Sequence, residues 1–324
     1  MPIACYDRVM REHRLGLPVV ISSYQRPEKL LARYKEVTSW SRFDHMTITI
    51  DGLRKQANRN EFLNHKEVIA VAEDLALKDN RVDVLVWDVN TGVNDHAARL
   101  FARMHNVEGI ILVEDDVGVN DTALDFLNDN LYQDGILATT AHVGKNHLKL
   151  EAHCPRASVF PHQWGLALNS IVMETYLEVI KSKKFERSVI NRLFNQSLGS
   201  HLSKAQIQRL VQWWFNHFFF CERQKNWADA IIQYSVYANS GQYMVPARSL
   251  IFDDNSLNDP RSMHPRIDVA LLPTCEEAEL FGDDNLHSCI SCEISSSRLE
   301  GVSVRNLIGA TKHRKYLQVI ERWV

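Results

Sequence analysis

The apolar run Gly109 to Val113 passes without a break into Glu114, Asp115 and Asp116. Adjacent carboxylates repel one another and are tolerated best beside a cation. Hard divalent ions such as Mn²⁺ or Mg²⁺ prefer carboxylate oxygen. An ion held there could clamp a diphosphate and, as a Lewis acid, stabilise a departing phosphate. A solvated acidic turn is the bland alternative, and the position at the end of an apolar run argues for chemistry instead. Other polar groups follow apolar runs in the same way: Ser22, Ser23, Tyr24 and Arg26 after Leu17 to Ile21, and Asp51-Gly52 after His45 to Ile50. Asp88, Asn90 and Gly92 likewise follow Val82 to Trp87. Further along, Asp229 stands at the start of a helical pattern. Asp fills a helix N-cap well, which is the bland reading of that position.

The elements that must position these groups alternate. Strands are expected at Leu17–Ile21, His45–Ile50, Val82–Trp87 and Gly109–Val113. Helices are expected at Glu28–Thr38, Asn64–Leu77 and Asp95–Met104, the first with Pro27 in its opening turn. This alternation predicts βαβ units and an α/β fold with a mostly parallel, Rossmann-like central sheet flanked by helices. In such sheets a ligand sits beyond the carboxyl ends of the strands, where all of these polar groups fall. The second half is less regular. Helices are expected at Ile171–Ile180 and Ala228–Ala238, a strand and loop over Ala157–Asn169, and a short strand at Gln242–Pro246. The polar-amphipathic stretch 185–222 reads as a helical insertion.

The order of these segments resembles the GT-A fold glycosyltransferases, which transfer sugars from nucleotide-sugar donors. Glu114-Asp115-Asp116 is similar to that family's metal-binding "DxD" segment. Val19 to Pro27 resembles its first strand and "(T/S)-Y-N-R-P" loop, with Gln25 where Asn is usual. Thr49-Ile50-Asp51-Gly52 looks like its "D-G" strand end, and Asn90-Thr91-Gly92 with Arg99 like its "N-x-G" turn and following helix. Phe160 to Gly165 is similar to an aromatic-Trp-Gly segment near the donor sugar and acceptor. Tyr243 to Leu250 resembles a closing "x-P-x-x-S-L" strand. The likeness covers roughly residues 17–265 and is closest to bacterial polysaccharide transferases. It implies donor binding by Ser22, Ser23, Tyr24, Arg26, Asp51, Asn90, Gly92, Arg99 and Asp115. It implies Mn²⁺ or Mg²⁺ on Asp116, Glu114 and His264, and an acceptor and sugar site at Trp164, Gly165 and Phe160. Asp229 would be the base of an inverting transfer, from a UDP-sugar to a hydroxyl of a glycan or lipid-linked saccharide. The alternatives are a catalytically silent sugar-nucleotide- or glycan-binding subunit, and a transferase acting on a nucleobase or protein.

The implied organisation is a catalytic domain over 1–265, with a nucleotide-binding half at about 17–120 and an acceptor half at about 121–265. A C-terminal extension, 266–324, would carry an amphipathic helix. Composition sets the class. The chain has 324 residues, 37 basic and 40 acidic side chains and 45% apolar residues, which excludes a disordered chain and makes nucleic acid an unsuitable partner. No apolar window is long enough for a membrane span, and six cysteines are too sparse for a disulfide scaffold. A cytoplasmic protein is expected, and the basic helix at 302–324 could dock peripherally on the inner face of the membrane. The aromatic cluster Trp213–Phe220 reads first as helix packing. Cys275, His287, Cys289 and Cys292 read first as free groups rather than a zinc site.

Overall fold

The computed structural model describes residues 15–142, 155–158, 163–198, 203–209, 211–212, 228–247 and 249–253. The aliphatic runs of the first half become strands β1 (Val19–Ser23), β2 (Met46–Ile50), β3 (Val82–Val86) and β4 (Gly109–Glu114). Between them lie helices α1 (Pro27–Ser39), α2 (Arg59–Lys78) and α3 (Val93–Arg103). β1 pairs in parallel with β2 on one side and β4 on the other, and β2 pairs in parallel with β3. The chain therefore steps outward from β1 to β3 and returns on the other side of β1 as β4. That reversal opens a crevice between the carboxyl ends of β1 and β4.

After β4 come β5 (Val117–Gly118), α4 (Asp121–Asn130), β6 (Ile136–Thr140), β7 (Arg156–Ser158) and β8 (Leu166–Asn169). They are followed by α5 (Ser170–Ser182), α6 (Arg187–Leu198), α7 (Ala228–Ala238), β9 (Gln242–Val245) and β10 (Phe252–Asp253). One eight-stranded sheet, ordered β3-β2-β1-β4-β8-β6-β9-β7, runs through both halves. It is mostly parallel, but β8 lies antiparallel between β4 and β6. The entry to β8, residues 163–165, thus sits beside the exits of β4 and β6. β10 pairs antiparallel with β5, aligning Asp253 with Val117 next to the acidic cluster.

Alternate residues of the strands feed two cores. Val19, Ile21, Ile48 and Val113 pack with Leu30 and Val37 of α1, Val68 and Ala72 of α2, and Leu124 and Leu127 of α4. Val20, Ile110, Ala138 and Leu168 pack with Leu100 of α3, Val172 and Tyr176 of α5, Phe194 of α6 and Ile231 of α7. Each such fully buried aliphatic side chain contributes ~1.5–3 kcal/mol, and the two-sided cover explains why these strands read as unbroken apolar runs.

The differences from the sequence reading have local causes. α2 begins at Arg59, before the expected Asn64, because the Asn58 side chain accepts the Glu61 N–H at 2.9 Å and caps it. β6 had no counterpart in the reading. The inserted stretch contributes α6 and helical residues 204–209 and 211–212, whereas Trp213–Phe220, Cys275, His287, Cys289, Cys292 and the helix at 302–324 lie outside the described residues. Among the described residues no helix is long and apolar enough to cross a membrane.

Candidate active site

The crevice between β1 and β4 brings the two most distinctive motifs together. Register aligns Ser22 with Glu114, and the Asp115 N–H donates to the Ser22 carbonyl at 3.0 Å. Asp115 and Asp116 are both buried, at 2% and 6% exposure. Their cation is part of the chain: the Arg26 guanidinium, at the start of α1, forms ion pairs with Asp115 and with Asp116, the latter at 3.0 Å. Ser23 Oγ donates to Asp115 Oδ2 at 2.6 Å. Burial works against the charged Arg26, but the two carboxylates outweigh it and raise its pKa. Burial likewise pushes the Asp115 carboxyl up, against the pull of Arg26 and Ser23. Both oxygens of Asp115 face donors, Ser23 Oγ and the Arg26 guanidinium.

Glu114 behaves differently. Solvent reaches its side chain, yet it lies deep among surrounding protein atoms. Burial, then Asp116, Asp229 and Asp115, push its carboxyl up to about 8, with Arg26 opposing. The oxygen donors gathered here are of the kind that suit a divalent cation. Among the described residues no three His, Cys, Asp or Glu side chains converge as a ready-made metal site, so an ion there would complete its shell with ligand or water oxygen.

On the β2–β3 side, Asp51 is tied to backbone. Its carboxylate accepts from the N–H groups of Gly52 at 2.9 Å, Thr91 at 3.3 Å and Gly92 at 3.2 Å. Asn90 Nδ2 donates to the Gly52 carbonyl at 2.8 Å. A Cβ on Gly52 would lie 2.3 Å from the Val89 carbonyl carbon, so this strand end tolerates glycine alone. Asp51, Asn90 and Gly92 thus form the brace that starts α3. The Arg99 guanidinium, on α3, lies over the Trp87 ring at 5.4 Å. His96 packs behind Asp51, with Nδ1 3.8 Å from Asp51 Oδ1; burial lowers its pKa, Asp51 opposing and Arg99 adding. Tyr24 is also held: its hydroxyl donates to Glu61 at 2.8 Å and accepts the Arg54 N–H at 3.0 Å. Its ring meets His65 edge-on, at 5.2 Å between centroids.

On the other side, Asp229 lies in the first turn of α7 with an exposed side chain. It is close enough to Glu114, Tyr176 and Tyr243 to raise the pKa of each, after burial. Gln163 Nε2 donates to the Asp229 carbonyl at 2.8 Å. The β4–β8 register ends at Leu112 opposite Leu166, which sets the entry to β8, residues 163–165, beside the end of β4. Gly165 has φ of 58° and takes this turn as glycine does.

The structure thus gathers Ser22, Ser23, Arg26, Glu114, Asp115, Asp116, Trp164, Gly165 and Asp229 around one crevice. Tyr24, Asp51, Asn90, Gly92 and Arg99 line its β2–β3 flank. Phe160 and His264 lie outside the described residues. Sequence reasoning gave no site role to Glu61, His65, His96 or His142, and held Gln163 and Ser249 only inside the segments 160–165 and 243–250. Glu61 had a readable signal, as the third residue after the capping Asn58.

No family model matches the chain, and no curated protein matches it. It is similar to solved structures, all at low identity. A mannosyltransferase from Pyrobaculum calidifontis in complex with GDP-Man and Mn²⁺ aligns at 10% identity over 53% of each chain, with a TM-score of 0.37. Glucosyl-3-phosphoglycerate synthase from Mycobacterium tuberculosis, with Mn²⁺, UDP and phosphoglyceric acid, aligns at 12% identity over 54% of this chain and 66% of that one, TM-score 0.35. GalNAc-T7 with UDP, GalNAc and Mn²⁺ aligns at 11% identity over 73% of this chain and 43% of that one, TM-score 0.44. The chain spans less than two thirds of the length of each of these proteins.

Proposed function

We propose that the protein is a divalent-cation-dependent GT-A glycosyltransferase that moves a sugar from a nucleotide-sugar donor to an acceptor hydroxyl. The observation that carries this reading is the meeting of Ser23 and Arg26 with Glu114, Asp115 and Asp116 at the sheet's switch point, with Asp229 within electrostatic reach. The donor's nucleoside would lie along the Tyr24, Asp51, Asn90 and Arg99 flank. Glu114 and Asp116 would hold Mn²⁺ or Mg²⁺, with His264 as a further ligand. Bound there, the ion would neutralise the donor diphosphate. Arg26 and Ser23 fix Asp115, so that the strand end keeps its shape as charge enters the crevice.

The proposed transfer is inverting. The acceptor oxygen forms a bond to the anomeric carbon while the bond from that carbon to the phosphate oxygen breaks. The nucleoside diphosphate leaves with the electron pair, and Asp229 takes the hydroxyl proton. Trp164, Gly165 and Phe160 would form the wall on the sugar and acceptor side. We propose a UDP-sugar as donor and a glycan or lipid-linked saccharide as acceptor, in a cytoplasmic setting with peripheral membrane contact.

The test is donor hydrolysis. The protein is incubated with UDP-, GDP- and dTDP-sugars, with Mn²⁺ or with EDTA, and compared with Asp116→Ala. Slow release of one nucleotide, lost with EDTA and in the variant, is the expected result. No turnover and no metal-dependent nucleotide binding by calorimetry would overturn the reading and favour a silent binding subunit.

A further inference from the structure

We propose that His142, hydrogen-bonded to Ser249, is a positioning residue that sets Trp164 against the donor's sugar, a proposal that rests on the transferase reading above. Ser249 Oγ lies 2.7 Å from His142 Nδ1, and the two residues are 1% and 4% exposed. The His142 and Trp164 rings are in contact, their centroids 5.1 Å apart and their planes at 44°. Backbone bonds lock the same three segments together. The Ala141 N–H donates to the Gly165 carbonyl at 2.7 Å, and the Leu250 N–H donates to the Ala141 carbonyl at 2.8 Å. Thr140 Oγ1 donates to the Trp164 carbonyl at 3.1 Å. A Cβ on Gly165 would stand 3.2 Å from both Ala141 Cβ and Ile251 Cγ2, so no slack remains between the segments.

The location gives this knot its role. Trp164 is half-buried, packed on one side against the core around Ile21 and Val113. It stands in the entry to β8, beside the end of β4, and its neighbour Gln163 is bonded to the turn that carries Asp229. In a glycosyl transfer, the group between the diphosphate-binding carboxylates and the proton-accepting carboxylate is the sugar ring. Trp164 is a half-buried aromatic surface next to the residue bonded to the Asp229 turn, and an aromatic plane suits the apolar face of a sugar. His142 packs against the Trp164 ring, and the His142 ring is in turn hydrogen-bonded to Ser249, from a segment 107 residues away in the chain. The knot is built from the end of β6, the entry to β8 and the segment after β9, whereas the nucleoside flank is built from the ends of β1 to β3. The pair should therefore control affinity for the sugar part of the donor and leave the nucleotide part alone.

The experiment compares the whole protein with Ser249→Ala, His142→Phe and His142→Asn by calorimetry in Mn²⁺. The probes are UDP against UDP-glucose and UDP-N-acetylglucosamine, and GDP against GDP-mannose. Ser249→Ala and His142→Phe should leave nucleoside diphosphate affinity within about twofold. They should weaken the bound sugar nucleotide about fivefold, the equilibrium equivalent of one ordinary hydrogen bond. His142→Asn keeps a hydrogen-bonding group near the Nδ1 position, able to donate or accept, and should recover part of the loss seen with His142→Phe. Ser249→Ala removes a single oxygen and guards against a folding failure in the His142 variants. Equal weakening of nucleotide and sugar nucleotide, or no weakening of either, would overturn the proposal alone. Absence of nucleotide binding by the unaltered protein would instead overturn the transferase reading, and the proposal with it.

Discussion

Replacing Arg26 by Met removes the charge that holds two buried carboxylates and keeps most of the side-chain volume. Asp115 is 2% exposed and Asp116 6% exposed, while the Arg26 side chain is 14% exposed. Taking one partner from a buried ion pair costs about 3–5 kcal/mol, because the other charge stays buried without its counterion. In a domain of this size that corresponds to a fall in Tm of about 6–20 °C. The same geometry predicts rescue. If the acidic cluster binds a divalent ion, Mn²⁺ supplies in the variant the charge that Arg26 supplies in the unaltered protein. Ion at a hundred times its Kd would restore about 2.7 kcal/mol. Differential scanning fluorimetry of both proteins, with Mn²⁺ titrated from zero, measures both effects. The variant should start lower and gain more from the ion. A variant that melts within 1–2 °C of the parent, below the shift of about 2–4 °C expected per kcal/mol, would show that the pair contributes nothing. Equal Mn²⁺ shifts in the two proteins would show that Arg26 and the ion do not answer to the same carboxylates.

Three further outcomes follow from the site. The Glu114 carboxyl, pushed up to about 8, holds a proton at neutral pH that the unfolded chain has lost. Stability should therefore fall as pH rises from about 4.5 to about 8. Mn²⁺ affinity should climb over the same window with proton release, and Glu114→Gln should flatten both dependences in calorimetry and melting. Asp229→Asn should lower the transfer rate by about 10²–10⁴ while leaving metal-dependent nucleotide binding intact, as expected for loss of a general base; an unchanged rate would remove Asp229 from the mechanism. Asp51→Ala strands the N–H groups of Gly52, Thr91 and Gly92. Urea unfolding should show a loss of about 1–3 kcal/mol for each of these that water cannot reach, and a change within 0.5 kcal/mol would mean that the brace is solvated.

What a reader of the sequence recovers here depends on how local the determining forces are. The strand from Gly109 and the carboxylates that follow it are legible because burial on both faces demands an unbroken apolar run, and the break to Glu114 is abrupt. Helix α7 was expected at its observed bounds, since Ile231, Ile232, Tyr234 and Val236 keep a helical spacing and all are buried. Ile136 to Thr140 is different. It is a strand of five residues with Ala and two Thr, and it is recognisable only beside β8 and β9, which reach it from elsewhere in the chain. The antiparallel insertion of β8 is invisible for the same reason, although it sets the entry that carries Trp164 beside the end of β4. The site divides along the same line. That an acidic cluster needs a cation is readable; that Arg26, 90 residues earlier, aims its planar fork at Asp116 depends on the pairing of β1 with β4. The contact of Ser249 with His142 depends on three separate loops meeting, and no residue type or spacing announces it. Sequence pattern therefore identifies which groups a parallel sheet delivers to its carboxyl end. The counterions and aromatic supports that make those groups usable are set by strand order, and strand order follows from long-range pairing.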